Sequence, residues 1–227
     1  MREAPTISPR RAAMPNVIRH FDDFPRSMRQ ADVRARRRTM LECPHIAPLT
    51  EYATKLRRMD RGEVPDFDPL NGGTEAQILF LFEKPGPLAA GSGFISRNND
   101  DPTAQATFDF TEKAALEPSQ YVIWNIVPWW NGTRRLNTAE IKAGLKCAEA
   151  LLGLLHHVRV VVAVGREAQQ AASILKGMQV MKARQIIGSH HPSPIVRARY
   201  QDKWLSIPYV WAEARKYIER DKHGTVP

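Results

Sequence analysis

Four short apolar runs, separated by stretches of helical periodicity, constrain the fold of this chain more than any other feature. The runs lie at residues 76–82, 121–127, 158–164 and 184–187. Strands that are buried on both faces of a parallel sheet have continuous apolar sequences of this kind. Helices are predicted at residues 103–116, 137–157 and 166–176, and a last one from Pro208 to about Lys222. The alternation predicts an α/β fold, a three-layer α/β/α sandwich with a four-stranded, mostly parallel central sheet.

Two of the predicted helices begin with capping signals. Asn137 is followed three residues later by Glu140, which is the spacing of a capping box. Asp101 stands immediately before Pro102, an arrangement typical of an N-cap with proline at the first helical position. We therefore predict that these two helices begin just after Asn137 and Asp101.

Arginine is concentrated at the beginning of the chain. The 227 residues contain 33 Lys and Arg against 24 Asp and Glu, a formal net charge of +9. Residues 1–38 hold ten Arg and four acidic residues, so this segment carries 10 − 4 = +6. We predict a basic N-terminal arm at residues 1–38 and a single domain at residues 39–227. The arm is interpreted as a solvated tail that can also neutralise phosphates, since a chain this basic is expected to bind nucleic acid.

Cysteine content and hydropathy exclude several classes of protein. Cys43 and Cys147 are the two cysteines, and neither belongs to a C-x-x-C pair. This excludes a disulfide scaffold, a four-thiolate zinc site and a four-cysteine iron–sulfur cluster. No run reaches the ~18 apolar residues that a membrane helix needs, and no apolar signal-peptide core follows Met1. We expect a cytoplasmic protein that does not bind membranes.

Polar and aromatic residues follow three of the four predicted strands. Glu83 follows the first strand and Phe94 lies in the loop beyond it, Asn125 lies near the end of the second, and His191 follows the fourth. Open parallel sheets bind ligands beyond the carboxyl ends of their strands. An Asn amide can pair with the donor and acceptor edge of a pyrimidine, a Phe can stack on the ring, and a His can stabilise charge on a carbonyl oxygen. The four residues therefore predict a pocket for a planar base.

The motifs that contain these residues resemble those of a known family. FEKPG, Phe94, WNIVPW around Asn125, VVVAVGREA and HHPSP are similar in order and spacing to the motifs of the uracil-DNA glycosylase superfamily. VVVAVGREA is most similar to the iron–sulfur-type branches, but their four cysteines are absent, which indicates a cluster-free relative. The resemblance implies a monomeric hydrolase that flips uracil or another deaminated base out of DNA and excises it in base-excision repair, with no metal or other cofactor.

The resemblance also implies roles for individual residues. Asn125 would bind the edge of the base, Phe94 would stack on its ring, and His191 would stabilise the negative charge at its O2 atom. Ile195 would be wedged into the emptied base stack. DNA phosphates would be held by the residues that follow His191, namely Ser193, Arg197, Arg199 and Lys203.

One residue departs from the family pattern. Several branches have Asp or Asn before the proline of the first motif, where the side chain positions the attacking water, whereas this chain has Lys84. A lysine cannot act as that carboxylate. The resemblance therefore leaves two candidates for the catalytic acid, Glu83 and the downstream Asp100.

Two other functions stay open at this point. The chain could be a DNA-binding or damage-sensing relative that kept the fold and lost the chemistry, an alternative motivated by Lys84. It could also be an unrelated nucleotide-handling enzyme, although the sequence contains no P-loop. An abasic product from uracil-containing DNA would separate the glycosylase from both alternatives.

Overall fold

A computed structural model describes residues 20–219 as six strands and eight helices, with short 3-10 turns between some of them. The strands are β1 (Asp66–Phe67), β2 (Ile78–Phe82), β3 (Phe94–Ile95), β4 (Tyr121–Asn125), β5 (Val160–Val164) and β6 (Gln185–Ser189). The helices are α1 (Ala31–Thr39), α2 (Ala47–Arg57), α3 (Pro87–Ser92), α4 (Pro102–Lys113), α5 (Thr138–Leu154), α6 (Arg166–Leu175), α7 (Pro194–Arg199) and α8 (Gln201–Glu219).

Four of the strands form one parallel sheet in the order β4-β2-β5-β6. Every residue of β2, β4 and β5 is buried, as expected for continuous apolar runs covered on both faces. β6 is an edge strand and is partly exposed, in keeping with its shorter apolar run. The predicted α/β class and four-stranded sheet are confirmed, and all the pairings in this sheet are parallel.

Helices cover both faces of the sheet. On one face, Phe80 of β2 contacts Trp211 of α8, with ring centroids 4.7 Å apart, and Trp211 contacts Phe110 of α4 at 6.0 Å. On the other face, the hydroxyl of Tyr52 in α2 donates a hydrogen bond to the carbonyl of Cys147 in α5 at 2.7 Å. The helices and the sheet therefore form the predicted three layers.

Both predicted helix caps are present. Asp101 accepts hydrogen bonds from the backbone N–H groups of Thr103 and Ala104 through Oδ1, at 2.9 and 3.0 Å. Asn137 and Glu140 form a reciprocal capping box, with bonds of 2.9 and 3.1 Å. These bonds satisfy backbone donors in the first turns of α4 and α5.

The last helix begins earlier than predicted. α8 starts at Gln201, and Pro208 lies inside it rather than at its start. Trp204, Ile207 and Trp211 recur at helical spacing and pack against the core, so the apolar face of the helix already begins before the proline.

The N-terminal segment, defined as residues 20–39, belongs to the folded domain. Met28 and Val33 pack with Phe94 of β3, and the fully buried Arg37 forms an ion pair with Asp68. Residues 20–38 of the predicted arm therefore pack with the domain, because carboxylates elsewhere in the chain pair with arginines that the sequence alone presents as solvated. Residues 1–19 of the predicted arm lie outside the described residues.

α8 is the longest of the helices, with 19 residues. Between residues 20 and 219, neither α8 nor any other helix is long and apolar enough to cross a membrane.

Candidate active site

A cavity of about 130 Å³ opens at the carboxyl ends of β2 and β4, between the sheet and α4. Phe82, Ile123 and Asn125 form its sheet wall, and Thr103 and Thr107 of α4 also line it. One water needs roughly 10–15 Å³ of such space, so the cavity accommodates a ligand of several heavy atoms. Its location is the one at which open parallel sheets bind ligands.

Asn125 lines this cavity and has an unpaired amide oxygen. It is the last residue of β4, is 5% exposed, and lies on the same face as Ile123 because side chains alternate along a strand. Its Oδ1 atom is buried and accepts no hydrogen bond from any residue in the described range. Leaving a buried acceptor unsatisfied costs about 1–3 kcal/mol, so the arrangement favours a ligand that brings an N–H or O–H donor.

His191 contributes a second unpaired atom. Its ring lies perpendicular to that of Phe82, with centroids 5.6 Å apart, and its Nδ1 atom is buried without a partner among residues 20–219. Burial, and to a smaller extent the charge of Arg134, lowers the pKa of His191 to about 4. The imidazole is therefore neutral at pH 7 and has one N–H to donate and one nitrogen lone pair to accept.

Asn99 supplies a third unpaired atom, which the sequence analysis did not predict. It is 3% exposed, lines the cavity, and donates from Nδ2 to the carbonyl of Phe94 at 2.8 Å. Its Oδ1 accepts no hydrogen bond from a described residue. Residues 96–101, hereafter the cavity loop, carry sequence signals for an acid and for a helix cap, but none for a role of their amides.

Phe94 does not lie in the predicted pocket. Its side chain is 1% exposed and packs with Met28 and Val33 of the N-terminal segment, outside the cavity lining. The aromatic ring that lines the cavity is Phe82, at the end of β2. The sequence motif could not indicate this difference, because the apolar partners of Phe94 come from more than 60 residues earlier in the chain.

Glu83 also lies outside the cavity lining. It follows Phe82, so alternation directs it to the opposite face of the sheet, where its Oε1 accepts a hydrogen bond from the N–H of Glu167 at 3.2 Å. Burial raises the pKa of Glu83. Gly165 beside it has φ +95°, and a Cβ there would lie 2.4 Å from Glu83 Oε1. The geometry gives Glu83 a structural contact with the first turn of α6 and does not support the predicted role in water activation.

Lys84 is held by a structural ion pair. Its ammonium group donates to Glu140 at 2.8 Å and to Asn131 at 2.6 Å, and its side chain is 3% exposed. Glu140 is the capping-box residue of α5, so these bonds tie the loop after β2 to the start of that helix. The stem of Lys84 contributes to the cavity wall while its charge is neutralised by Glu140.

Asp100, the other acid predicted from the sequence, is exposed and pairs with Arg26 at 2.9 Å. It does not line the cavity, whereas its neighbour Asp101 does. Asp101 is the one carboxylate among the described residues that line this cavity. Both of its capping bonds use Oδ1, so Oδ2 is the oxygen that can face a ligand or a water.

Arg134 stands at the mouth of the cavity and was not predicted from the sequence. It is exposed, lines the opening, and its guanidinium lies 3.6 Å from the position that a Cβ on Gly86 would occupy. In the sequence it belongs to a polar turn between β4 and α5, which carries no signal of a site. Its location places a positive charge where a polyanion would enter.

The residues predicted to contact DNA follow His191 in the sequence and lie in α7, at its N-cap and at the start of α8, hereafter the α7 surface. Ser193 caps α7, accepting from the N–H of Val196 at 3.3 Å, and Ile195 is 65% exposed. The positive side chains of this surface are Arg197, Arg199 and Lys203, all exposed. All five predicted residues therefore belong to this short helical region, and their contact with DNA stays a prediction.

Within residues 20–219, no group of three or more His, Cys, Asp or Glu side chains is placed so that it could hold a metal ion.

Comparison with known proteins bears on the family of this chain. A search of curated proteins found no match. The model of the uracil DNA glycosylase superfamily matches residues 71–214, more than half of the 227 residues. This segment contains the cavity loop, Asn125, His191 and the whole of the four-stranded sheet. The chain therefore belongs to the uracil DNA glycosylase superfamily.

Proposed function

We propose that the protein is a DNA glycosylase that hydrolyses the N-glycosidic bond of uracil or another deaminated base as a step of base-excision repair. The observation that carries the proposal is the pair of unpaired, buried polar atoms, Asn125 Oδ1 and His191 Nδ1, at one small cavity. Membership of the superfamily supports the same reaction class. The cavity is too small for a folded partner and is suited to a single flipped base.

The amide of Asn125 fits the edge of uracil. Its oxygen accepts from the ring N–H, and its NH₂ group donates to the adjacent carbonyl oxygen. Cytosine presents a lone pair and an amino group at the same two places, so it would meet like groups and leave buried polar atoms unpaired. A site built to hydrogen-bond one pattern rejects the other strongly for this reason.

The neutral ring of His191 is suited to stabilise the departing base. When the bond between the sugar and the base breaks, the electron pair leaves with the base and negative charge develops on its carbonyl oxygen. A neutral imidazole N–H directed at that oxygen stabilises this charge without the cost of burying a cation. The lowered pKa keeps the ring in this form across the physiological range.

Asp101 is the residue we assign to the attacking water. It has the required carboxylate at the cavity wall, and its capping bonds leave Oδ2 free to accept a proton from water. The water oxygen then bonds to the sugar carbon as the base leaves, and the product is an abasic site. Asp101 thereby replaces both acids that the sequence indicated.

The exposed surface after His191 supplies the contacts that the rest of the DNA needs. Arg197, Arg199 and Lys203 are exposed cations that can bind phosphates, and Arg134 is an exposed cation that lines the cavity. Ile195 has the apolar, exposed side chain that can fill the space of the flipped base.

The test is an assay on oligonucleotides that contain one uracil, in single- and double-stranded form, followed by alkali treatment that cleaves abasic sites. We expect cleavage at uracil, and a loss of about 10²–10³-fold in single-turnover rate for His191→Ala. The exposed neighbour gives the matched control, His190→Ala, which should stay within about twofold of wild type. Absence of cleavage at uracil, hypoxanthine and xanthine at every salt concentration would refute the proposal.

The same assay tests the assignment of Asp101. Asp101→Asn keeps a side-chain oxygen for the helix cap but cannot accept the proton, so we expect the rate to fall about 10²–10⁴-fold. Asp100→Asn is the matched control and should be nearly unchanged, because Asp100 lies outside the cavity lining. Equal rates for the two variants would show that neither acid activates water.

A second candidate function is damage sensing without catalysis. The observation that favours it is Lys84, which occupies the place of the family's water-positioning residue and is neutralised by Glu140. This alternative predicts preferential binding to uracil-containing DNA with no abasic product. Gel-shift measurements on the same oligonucleotides would distinguish it from the glycosylase.

A further inference from the structure

Buried charged groups join the N-terminal segment to the cavity loop. Asp23 accepts from Arg97 through both carboxylate oxygens, at 2.6 and 3.3 Å, and also from the amide of Asn98 at 3.1 Å. The three side chains are between 1% and 5% exposed. Removing one partner of an ion pair this deeply buried is strongly destabilising. Separating the two segments would therefore cost a large free energy.

Arg37 makes the second connection. Its guanidinium forms a short ion pair with Asp68, whose other oxygen accepts from the hydroxyl of Ser96, and it donates to Asn98 Oδ1 at 3.2 Å. The backbone adds a third connection, since the N–H of Met28 donates to the carbonyl of Asn98 at 3.0 Å. Asn98 is thus bound to the N-terminal segment through its side chain and its backbone.

Successive residues of the cavity loop serve different partners. Asn98 and Asp100 bind the N-terminal segment, whereas Asn99 and Asp101 line the cavity. Fixing Asn98 therefore fixes the direction of the neighbour on each side. Arg97 belongs to both groups, because it lines the cavity while it pairs with Asp23.

We infer that the N-terminal segment is a positioning element of the active site, in which Asp23 and Arg37 orient Asn99 and Asp101 through Asn98 and Arg97. The segment lies outside residues 71–214, the part of the chain that matches the family. The effect of this segment on catalysis rests on the proposed function, whereas its hold on the cavity loop does not. The functional unit of this chain accordingly includes residues 20–39 in addition to the segment that matches the family.

The experiment compares full-length variants by two independent measurements. Asn98→Ala removes the bonds to Asp23 and Arg37 and leaves the ion pairs of both residues in place. The control, Arg26→Ala, removes an exposed ion pair to the same loop. Amide hydrogen exchange of residues 97–100 reports whether the loop is held, whatever the protein's activity. Single-turnover base release on bound DNA reports whether holding it matters for the reaction.

We expect Asn98→Ala to accelerate amide exchange in the cavity loop at least tenfold and to slow base release at least tenfold. The dissociation constant for DNA should stay within about twofold of wild type, because the phosphate-binding surface lies elsewhere. Arg26→Ala should change each quantity by less than about twofold. Assays are run well below the melting temperature of each variant, so that unfolding does not contribute.

Two results would overturn the inference. Unchanged exchange in Asn98→Ala would show that the N-terminal segment does not hold the loop, and faster exchange with unchanged base release would show that holding it is irrelevant to the site. Asp23→Glu provides a second test if Asn98→Ala does not fold, because the longer carboxylate keeps the charge and should shift the loop while retaining the ion pair. If wild type releases no base, the proposed function fails, while amide exchange still decides whether the segment positions the loop.

Discussion

Two groups of buried polar side chains lie on opposite sides of the cavity loop, and they differ in whether their hydrogen bonds are made. Between the loop and the N-terminal segment, Arg97 and Asn98 both donate to Asp23, and Arg37 has partners at both terminal nitrogens, with only its Nε unpaired. At the cavity, Asn99, Asn125 and His191 each keep a buried atom without a partner in the described chain. The paired groups join two segments of the chain, whereas the unpaired atoms belong to residues that line the cavity and can bond to a ligand.

The largest expected difference between the paired and the unpaired groups is in their effect on stability when a side chain is removed. Arg37→Ala leaves Asp68 buried without its cation and should lower the free energy of unfolding by about 3–5 kcal/mol, measured by urea denaturation. Its exposed neighbour in the arginine triplet provides the control, Arg38→Ala, which should change it by no more than about 0.5 kcal/mol. Equal losses for the two arginines would contradict the distinction between buried and solvated positions.

A pair of asparagines gives the next test. Asn125→Ala removes an unpaired amide, so we expect base release to slow about 10²–10³-fold with no loss of unfolding free energy. Asn98→Ala removes a paired amide of similar burial and should cost about 2–3 kcal/mol of stability. The comparison fails if Asn125→Ala is the more destabilising of the two in denaturant titrations.

His191 should make stability depend on pH. Its pKa is about 4 in the folded protein and near 6.5 in an unfolded chain, so above pH 6.5 the ring is neutral in both states and contributes nothing. Below pH 6.5 the unfolded chain binds the proton first, so the free energy of unfolding falls, by up to about 3 kcal/mol, as the pH drops through 4. Denaturation of wild type and His191→Gln at pH 7 and 4.5 measures this, and an identical pH dependence would show that the ring is not buried as described.

The smallest effect is expected at the exposed arginines of the α7 surface. The logarithm of the association constant for duplex DNA falls linearly with the logarithm of the salt concentration. Arg199→Ala should make this slope less steep by about 0.9, with stability unchanged. Arg58→Ala, exposed at the end of α2 on the other face of the sheet, is the matched control and should leave the slope at the wild-type value. A slope that responds equally to both substitutions would mean that DNA binding does not use the α7 surface.

The comparison also explains which residues sequence reasoning located and which it did not. Asn125 and His191 were found because they end or follow strands, and the edge at which parallel strands end is known before the structure is. Phe94 and Glu83 both follow β2. Phe94 packs against a segment far away in the chain, and Glu83 lies on the opposite face of the sheet because side chains alternate along a strand. Proximity to a strand end therefore predicts a region and not the direction of a side chain.

Asp100 and Asp101 show that sequence reasoning also fails to decide between two neighbouring residues. Asp100 and Asp101 are adjacent and chemically identical, and the sequence favoured the first as a catalytic residue and the second as a helix cap. The structure pairs Asp100 with Arg26 and gives Asp101 both the cap and a place at the cavity. The choice between them depends on where Arg26 lies, which no local pattern specifies.

By itself the sequence determined the four strands of the parallel sheet, the helices between them, the caps of α4 and α5, and the family motifs, because apolar periodicity and capping are local properties. Tertiary structure decided which arginines are buried, which acid reaches the cavity, and which amides are left unpaired there. Those outcomes depend on contacts between segments distant in the chain, such as Arg37 with Asp68 and Asp23 with Arg97. The charge of the first 38 residues is visible in the sequence, but only the folded chain shows that two of these arginines, Arg26 and Arg37, bind the cavity loop.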